Sequence, residues 1–170
     1  MTILILGLIL FLGTHALSIA RGQRAALVAR FGEGGFKGLY SLGSLLGLVL
    51  IIWGYGSYRA SGYIPVWNPP VWTRHLAVLV LLPALPLLFS AYAKGYVKAR
   101  LKHPMILAVK TWALAHLLAN GDLGSILLFG GFLVWAVVAF ISMRRRPEGN
   151  TIGFIPNPGQ DAAAILGGLI

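Results

Sequence analysis

The feature that most constrains this chain is a succession of apolar runs, each close to twenty residues long, joined by short segments that carry most of the charge. A bilayer core of about 30 Å takes about 20 apolar residues to cross as a helix. Five segments approach that length: Thr2–Ala20, Leu39–Tyr58, His75–Ala93, Pro104–Asn120 and Leu123–Met143. No period-two alternation runs through them, which argues against a β-barrel. The expected fold is all-α, a polytopic transmembrane helix bundle of five full spans. Composition agrees: 58% of residues are apolar and 11% charged, against about 45–50% and 25% in soluble domains. The lipid bilayer is the expected surrounding.

The five spans fill residues 1–143. Residues 144–160 begin with Arg144, Arg145 and Arg146, turn Pro/Gly-rich, and read as a linker. Residues 161–170 are apolar again. They are too few to span as a helix, and are expected to be the start of a sixth, truncated span.

The connections are unequal in charge. Segment 21–38 holds Arg21, Arg24, Arg30 and Lys37, segment 94–103 holds Lys94, Lys98, Arg100 and Lys102, and the tail adds three arginines. Segment 59–74 offers only Arg59 and Arg74. The positive-inside rule then puts loops 21–38 and 94–103 and the tail in the cytoplasm and the N-terminus outside. The net charge of +10 is accounted for by these membrane-edge cations, so no nucleic-acid partner is expected. Arg21 and Arg24 follow the first apolar run rather than precede it, unlike a signal peptide.

Several chemistries are closed by what is missing. There is no cysteine, so disulfides, thiol nucleophiles, iron–sulfur clusters and Cys-ligated zinc are excluded. The acids are Glu33, Asp122, Glu148 and Asp161, none paired with another at helical spacing. That disfavours two-carboxylate hydrolysis and carboxylate-bridged metals.

Polar side chains at membrane depth are costly and are candidates for function. In the fourth span Trp112, His116 and Asn120 recur every four residues and share a face, while His103 and Lys110 share another. His15 lies in the first span. Two neutral imidazoles from different helices, with few other donors nearby, suit axial ligation of haem b. The expected cofactor-binding set is His15, His116, Trp112, Asn120 and Lys110, with His15 and His116 on the iron. Counted from the basic ends, His15 is about 10 Å shallower than His116 at 1.5 Å per residue, so His103 is a competing partner for His15. His75 and His103, beside Arg74 and Lys102, otherwise read as interfacial hydrogen-bonders. Pro83 and Pro86 should interrupt the third span. Gly43 and Gly47 should allow close helix approach, and the cluster Gly32, Gly34, Gly35 and Gly38 reads as a flexible turn.

Four stretches carry a family resemblance: LGLILFLGTHALSIAR, GEGGFKGLYSLGSLLGLVLIIWGYG, WNPPVWTRHLAVLVLLPA and KHPMILAVKTWALAHLLANGDL. Over nearly its whole length the chain resembles NnrU-family integral membrane proteins. The family is named for its association with nitrite and nitric oxide reduction genes, so the resemblance implies a place near denitrification. The same domain is similar to 15-cis-zeta-carotene isomerase, a membrane haem-b enzyme with two histidine ligands. His15 matches its first ligand in position, and Trp112-Ala113-Leu114-Ala115-His116 matches the string bearing its second. Ala113 stands where the isomerase carries a cysteine implicated as an alternate ligand. Three roles follow as expectations: a haem-b protein of denitrification, a carotenoid cis–trans isomerase, and a non-catalytic assembly partner of a respiratory or nitrogen-oxide reductase.

Overall fold

The computed structural model describes residues 1–146 and 153–169. Among them the chain is helical throughout: α1 (Thr2–Ala16), α2 (Arg21–Ala60), α3 (Val71–Leu81), α4 (Ala84–Ser90), α5 (Tyr96–Leu101), α6 (Pro104–Ala119), α7 (Leu123–Arg144) and α8 (Pro158–Leu169). Three stretches are long and apolar enough to cross a bilayer: α2, α3 with α4 (Val71–Ser90), and α7. With 15 and 16 residues, α1 and α6 reach only about 22–24 Å at 1.5 Å per residue. They are apolar but shorter than a full crossing.

Three segments differ from expectation. Residues 21–38 form no loop; they are the first half of α2. Its first part, 21–31, holds three Ala and three Arg, which favour helix, and no proline interrupts the stretch. Its break is at Gly32 alone, at φ 70° and ψ 167°, a left-handed geometry that glycine adopts without steric cost. Segment 94–103 likewise contains α5. The third span starts at Val71, immediately after Pro70, and is broken before Ala84 by Pro83, whose ring and missing N–H cannot continue a helix. The linker expected at 144–160 falls partly outside the described residues, and α8 begins at Pro158.

Laterally, α2 packs on α1, α1 on α7, α7 on α6, α6 on α3 and α4, and α4 on α8. The α1–α2 seam is the closest. A Cβ on Gly47 would lie 2.7 Å from the backbone N of Phe11, and one on Gly54 would overlap the backbone of Leu4. Small residues let helix backbones meet where lipid supplies no hydrophobic drive. The core at this level is Leu4, Leu8, Ile51, Ala113, Leu128 and Phe129. A second core, nearer the basic end, is Ile106, Ala136 and Ala139.

The two ends of the bundle are built differently. At one, segment 61–70 is clasped to the turn before α7: Val66 N–H and Trp67 N–H donate to Gly121 O (2.9 and 3.0 Å), and Leu123 N–H donates to Ile64 O (2.9 Å). At the other end the basic segments gather. Arg146 donates to Ser18 O (2.9 Å), joining the end of α7 to the end of α1. Asp161 on α8 accepts from Tyr96 N–H (2.6 Å) and Val97 N–H (3.1 Å), capping α5 across 65 and 64 residues of chain.

Candidate functional site

His15, Trp112, His116 and Lys110 each meet an aromatic ring of α7. His15 packs edge-on to Trp135 with ring centroids 5.8 Å apart. It stacks on Phe11 at 4.2 Å and meets Tyr40 at 5.4 Å. Its Nδ1 lies 2.8 Å from Phe11 O. A carbonyl only accepts, so Nδ1 carries the proton and Nε2 presents its lone pair. A ligating histidine is commonly held in this way, with its other nitrogen donating to a backbone carbonyl.

His116 lies flat on Phe129, with centroids 4.2 Å apart and planes 7° from parallel. Trp112 stands edge-on to it at 5.4 Å. Trp112 and His116 share a face as expected, while Asn120 lies past the end of α6 in extended backbone. The Asn120 amide, however, donates to the His116 carbonyl (2.9 Å) rather than to its imidazole.

The two imidazoles do not meet. Between them stand Phe11, Phe132 and Trp112, with Phe11–Phe132 and Phe132–Trp112 centroids each 5.5 Å apart. Their partners on α7, Trp135 and Phe129, are six residues apart, about 9 Å along the helix. Two axial ligands of one haem iron must approach it from opposite faces of a single porphyrin. His15 and His116, as folded, do not fit that shared position. His15 by itself keeps one ring nitrogen, Nε2, outside the contact with Phe11 O.

His103 lies at the basic end, within reach of the Arg144 and Arg146 charges. It sits at the N-cap of α6, and its Nε2 is buried without a hydrogen-bond partner among the described residues. Burial pushes its pKa down, and the charges of Arg144, Arg146 and Lys102 push the same way. Lys110 is separate again: its Nζ lies 4.7 Å over the Phe140 ring, which also carries the Arg144 guanidinium at 5.5 Å. His75 is exposed. Among the described residues, no group of three or more His, Asp and Glu side chains could hold a metal ion.

One centre escaped the sequence reading. Asp122 is 5% exposed. It accepts from Ser125 N–H (3.0 Å) and Ser125 O–H (2.6 Å), and Arg59 lies at 3.5 Å. Tyr55 O–H reaches the same serine at 2.9 Å. Burial alone raises the Asp122 pKa, but the Ser125 and Tyr58 hydrogen bonds and the Arg59 charge outweigh it, and the net shift is downward. The local signal was present: an Asp directly before an apolar run is an N-cap. Above the carboxylate opens a cleft of about 620 Å³ whose polar rim includes Arg59, Asn68, Arg74 and Asn120.

These features define a polytopic all-α protein of apolar helices suited to a bilayer, with imidazoles and aromatic rings in its interior. The family model described as NnrU protein matches residues 3–170, and the chain belongs to that family. No curated protein and no solved structure matches it.

Proposed function

We propose that this protein is a five-pass bacterial inner-membrane protein serving nitrogen-oxide respiration, and that its chemical centre is His15, acting as the single axial base of a haem b. The observation that carries this reading is the Nδ1 contact with Phe11 O at 2.8 Å. It fixes the tautomer and ring plane and leaves Nε2 as a ligand. Phe11, Tyr40 and Trp135 wall the ring against lipid and hold its orientation. Haem held there by His15 would supply redox chemistry. Family membership supports the respiratory setting. The isomerase reading is weaker, because Ala113 is wholly buried in the core and offers no sulfur for a ligand exchange. In the proposed topology α1 and α6 complete their crossings with flanking residues, and the basic end faces the cytoplasm.

An absorption spectrum of the protein purified from haem-replete cells tests the haem. The expected result is a Soret band that shifts on dithionite reduction, is lost in His15→Ala and persists in His116→Ala and His75→Ala. Equal loss in His116→Ala would overturn the single-ligand arrangement in favour of a shared iron. A colourless wild-type preparation would remove the haem and leave the assembly-partner role. Because the chain has no cysteine, single Gly22→Cys and Ser61→Cys variants report the topology through an impermeant thiol reagent. In intact spheroplasts Ser61→Cys should react and Gly22→Cys should not.

A further inference from the structure

At the basic end, the break at Gly32 creates a pocket. In an unbroken helix Arg24 and Phe36 would be about 18 Å apart along the axis. Here the Arg24 guanidinium lies 5.5 Å from the centre of the Phe36 ring, so the arm 21–31 is folded back toward the start of the membrane-spanning part. The space beneath it, about 270 Å³, is lined by Ser18, Arg24, Phe36, Lys37, Tyr40 and Ser41 among others.

The polar chemistry of this lining is one-sided. Two cations converge, and no carboxylate lines the pocket. The neighbouring acid, Glu33, is already paired with Lys37 at 2.9 Å, and an ammonium has further N–H donors to offer. The Tyr40 and Ser41 hydroxyls have no hydrogen-bond partner among the described residues. Guanidinium, ammonium and two free hydroxyls on a half-open surface make a site for a phosphate-bearing anion. Its level decides the source. The pocket lies where α1 ends and the apolar run from Leu39 begins, the depth of lipid headgroups. The arm above it adds Arg21 and Arg30 and leaves Phe31 45% exposed, as in a helix lying in the interface.

We propose that this pocket binds the headgroup of an anionic phospholipid, with Arg24 and Lys37 on the phosphate and the Tyr40 and Ser41 hydroxyls as further donors. The site shares the Tyr40 ring with the surroundings of His15, but its cations do not touch that imidazole and lipid binding there does not depend on haem.

The test uses the full chain, delipidated in detergent micelles and followed by native mass spectrometry. Probes are dioleoyl-phosphatidylglycerol, dioleoyl-phosphatidylcholine and inorganic phosphate. One phosphatidylglycerol per chain should be retained at least tenfold more tightly than phosphatidylcholine. Arg24→Gln with Lys37→Gln should erase that preference. The control, Lys94→Gln with Arg100→Gln, removes two charges from the same end outside the pocket and should keep it. If the first pair fails to fold, Tyr40→Phe with Ser41→Ala should still weaken phosphatidylglycerol severalfold. Equal losses in both charge pairs would reduce the effect to bulk charge and overturn the site. Full competition by inorganic phosphate would overturn the lipid as its occupant. Loss of a Soret band, with lipid retention unchanged, in Arg24→Gln with Lys37→Gln would assign the cations to haem and overturn the proposal.

Discussion

The clasped end and the basic end of the bundle hold the same helices by opposite means. At the clasped end, beneath the polar cleft over Asp122, the backbones meet at close range: Gly54 against Leu4, Gly124 against the Tyr58 ring, Gly121 against Trp67 O, and a buried carboxylate accepting from Ser125. At the basic end long cations reach across open ground, and the arm before Gly32 has few close neighbours. Gly22, Gly34 and Gly38 have nothing within 4 Å of where a Cβ would be. The difference separates an end whose helices are fixed by close backbone packing from one whose arm keeps open space around it.

Substituting glycines at the two ends is the sharpest way to break that contrast. Gly54→Val forces a branched side chain into the Leu4 backbone, and overpacking of this kind costs about 3 kcal/mol. The α1–α2 seam should open, and thermal unfolding in detergent should shift down by the largest margin of any variant considered. Gly22→Ala at the basic end meets open space and should stay within about 0.5 kcal/mol of the parent. Comparable losses from both would show that the basic end is as tightly built as the other.

Next in size are the two carboxylate caps. Asp122→Ala removes an N-cap, leaves the Ser125 amide without its acceptor and the Ser125 hydroxyl with Tyr55 alone, at a cost of about 2 kcal/mol. Asp161→Ala removes the cap of α5, but α5 has six residues and lies at the surface. A loss of about 1 kcal/mol is expected there. Denaturant titration of both variants orders them, and the reverse order would refute the contrast.

What could be read in the sequence follows the same division. The apolar runs, the proline break before Ala84 and the shared face of Trp112 and His116 are local properties, set by helix period and backbone chemistry. They stand as expected in the fold. Gly43 and Gly47 could be read as a close-approach pair, and both face α1. Missing were arrangements that depend on distant chain: Asp161 capping α5, Tyr55 reaching Ser125, and the fold-back that brings Arg24 to Phe36. No periodicity encodes these. The convergence of His15 and His116 was the boldest expectation, and the depth difference already computable from the sequence is the one the aromatic partners on α7 display.

The smallest effect expected is one of pH, and it again divides the ends. Asp122 has a folded pKa below its ordinary value, so its contribution is complete above the usual carboxylate range and fades only in strong acid. His103 also has a lowered folded pKa. The unfolded chain then takes up the proton first, near pH 6.5, and stability is lost as pH falls through that value. The basic end should soften between pH 7 and pH 5 while the clasped end does not. Hydrogen exchange at α5 and the first turn of α6 should rise over that interval, and His103→Gln should abolish the rise. The amides of Ser125 and Leu123 should stay protected in both proteins. Protection lost at Ser125 in the same pH interval would mean that the two ends unfold as one unit.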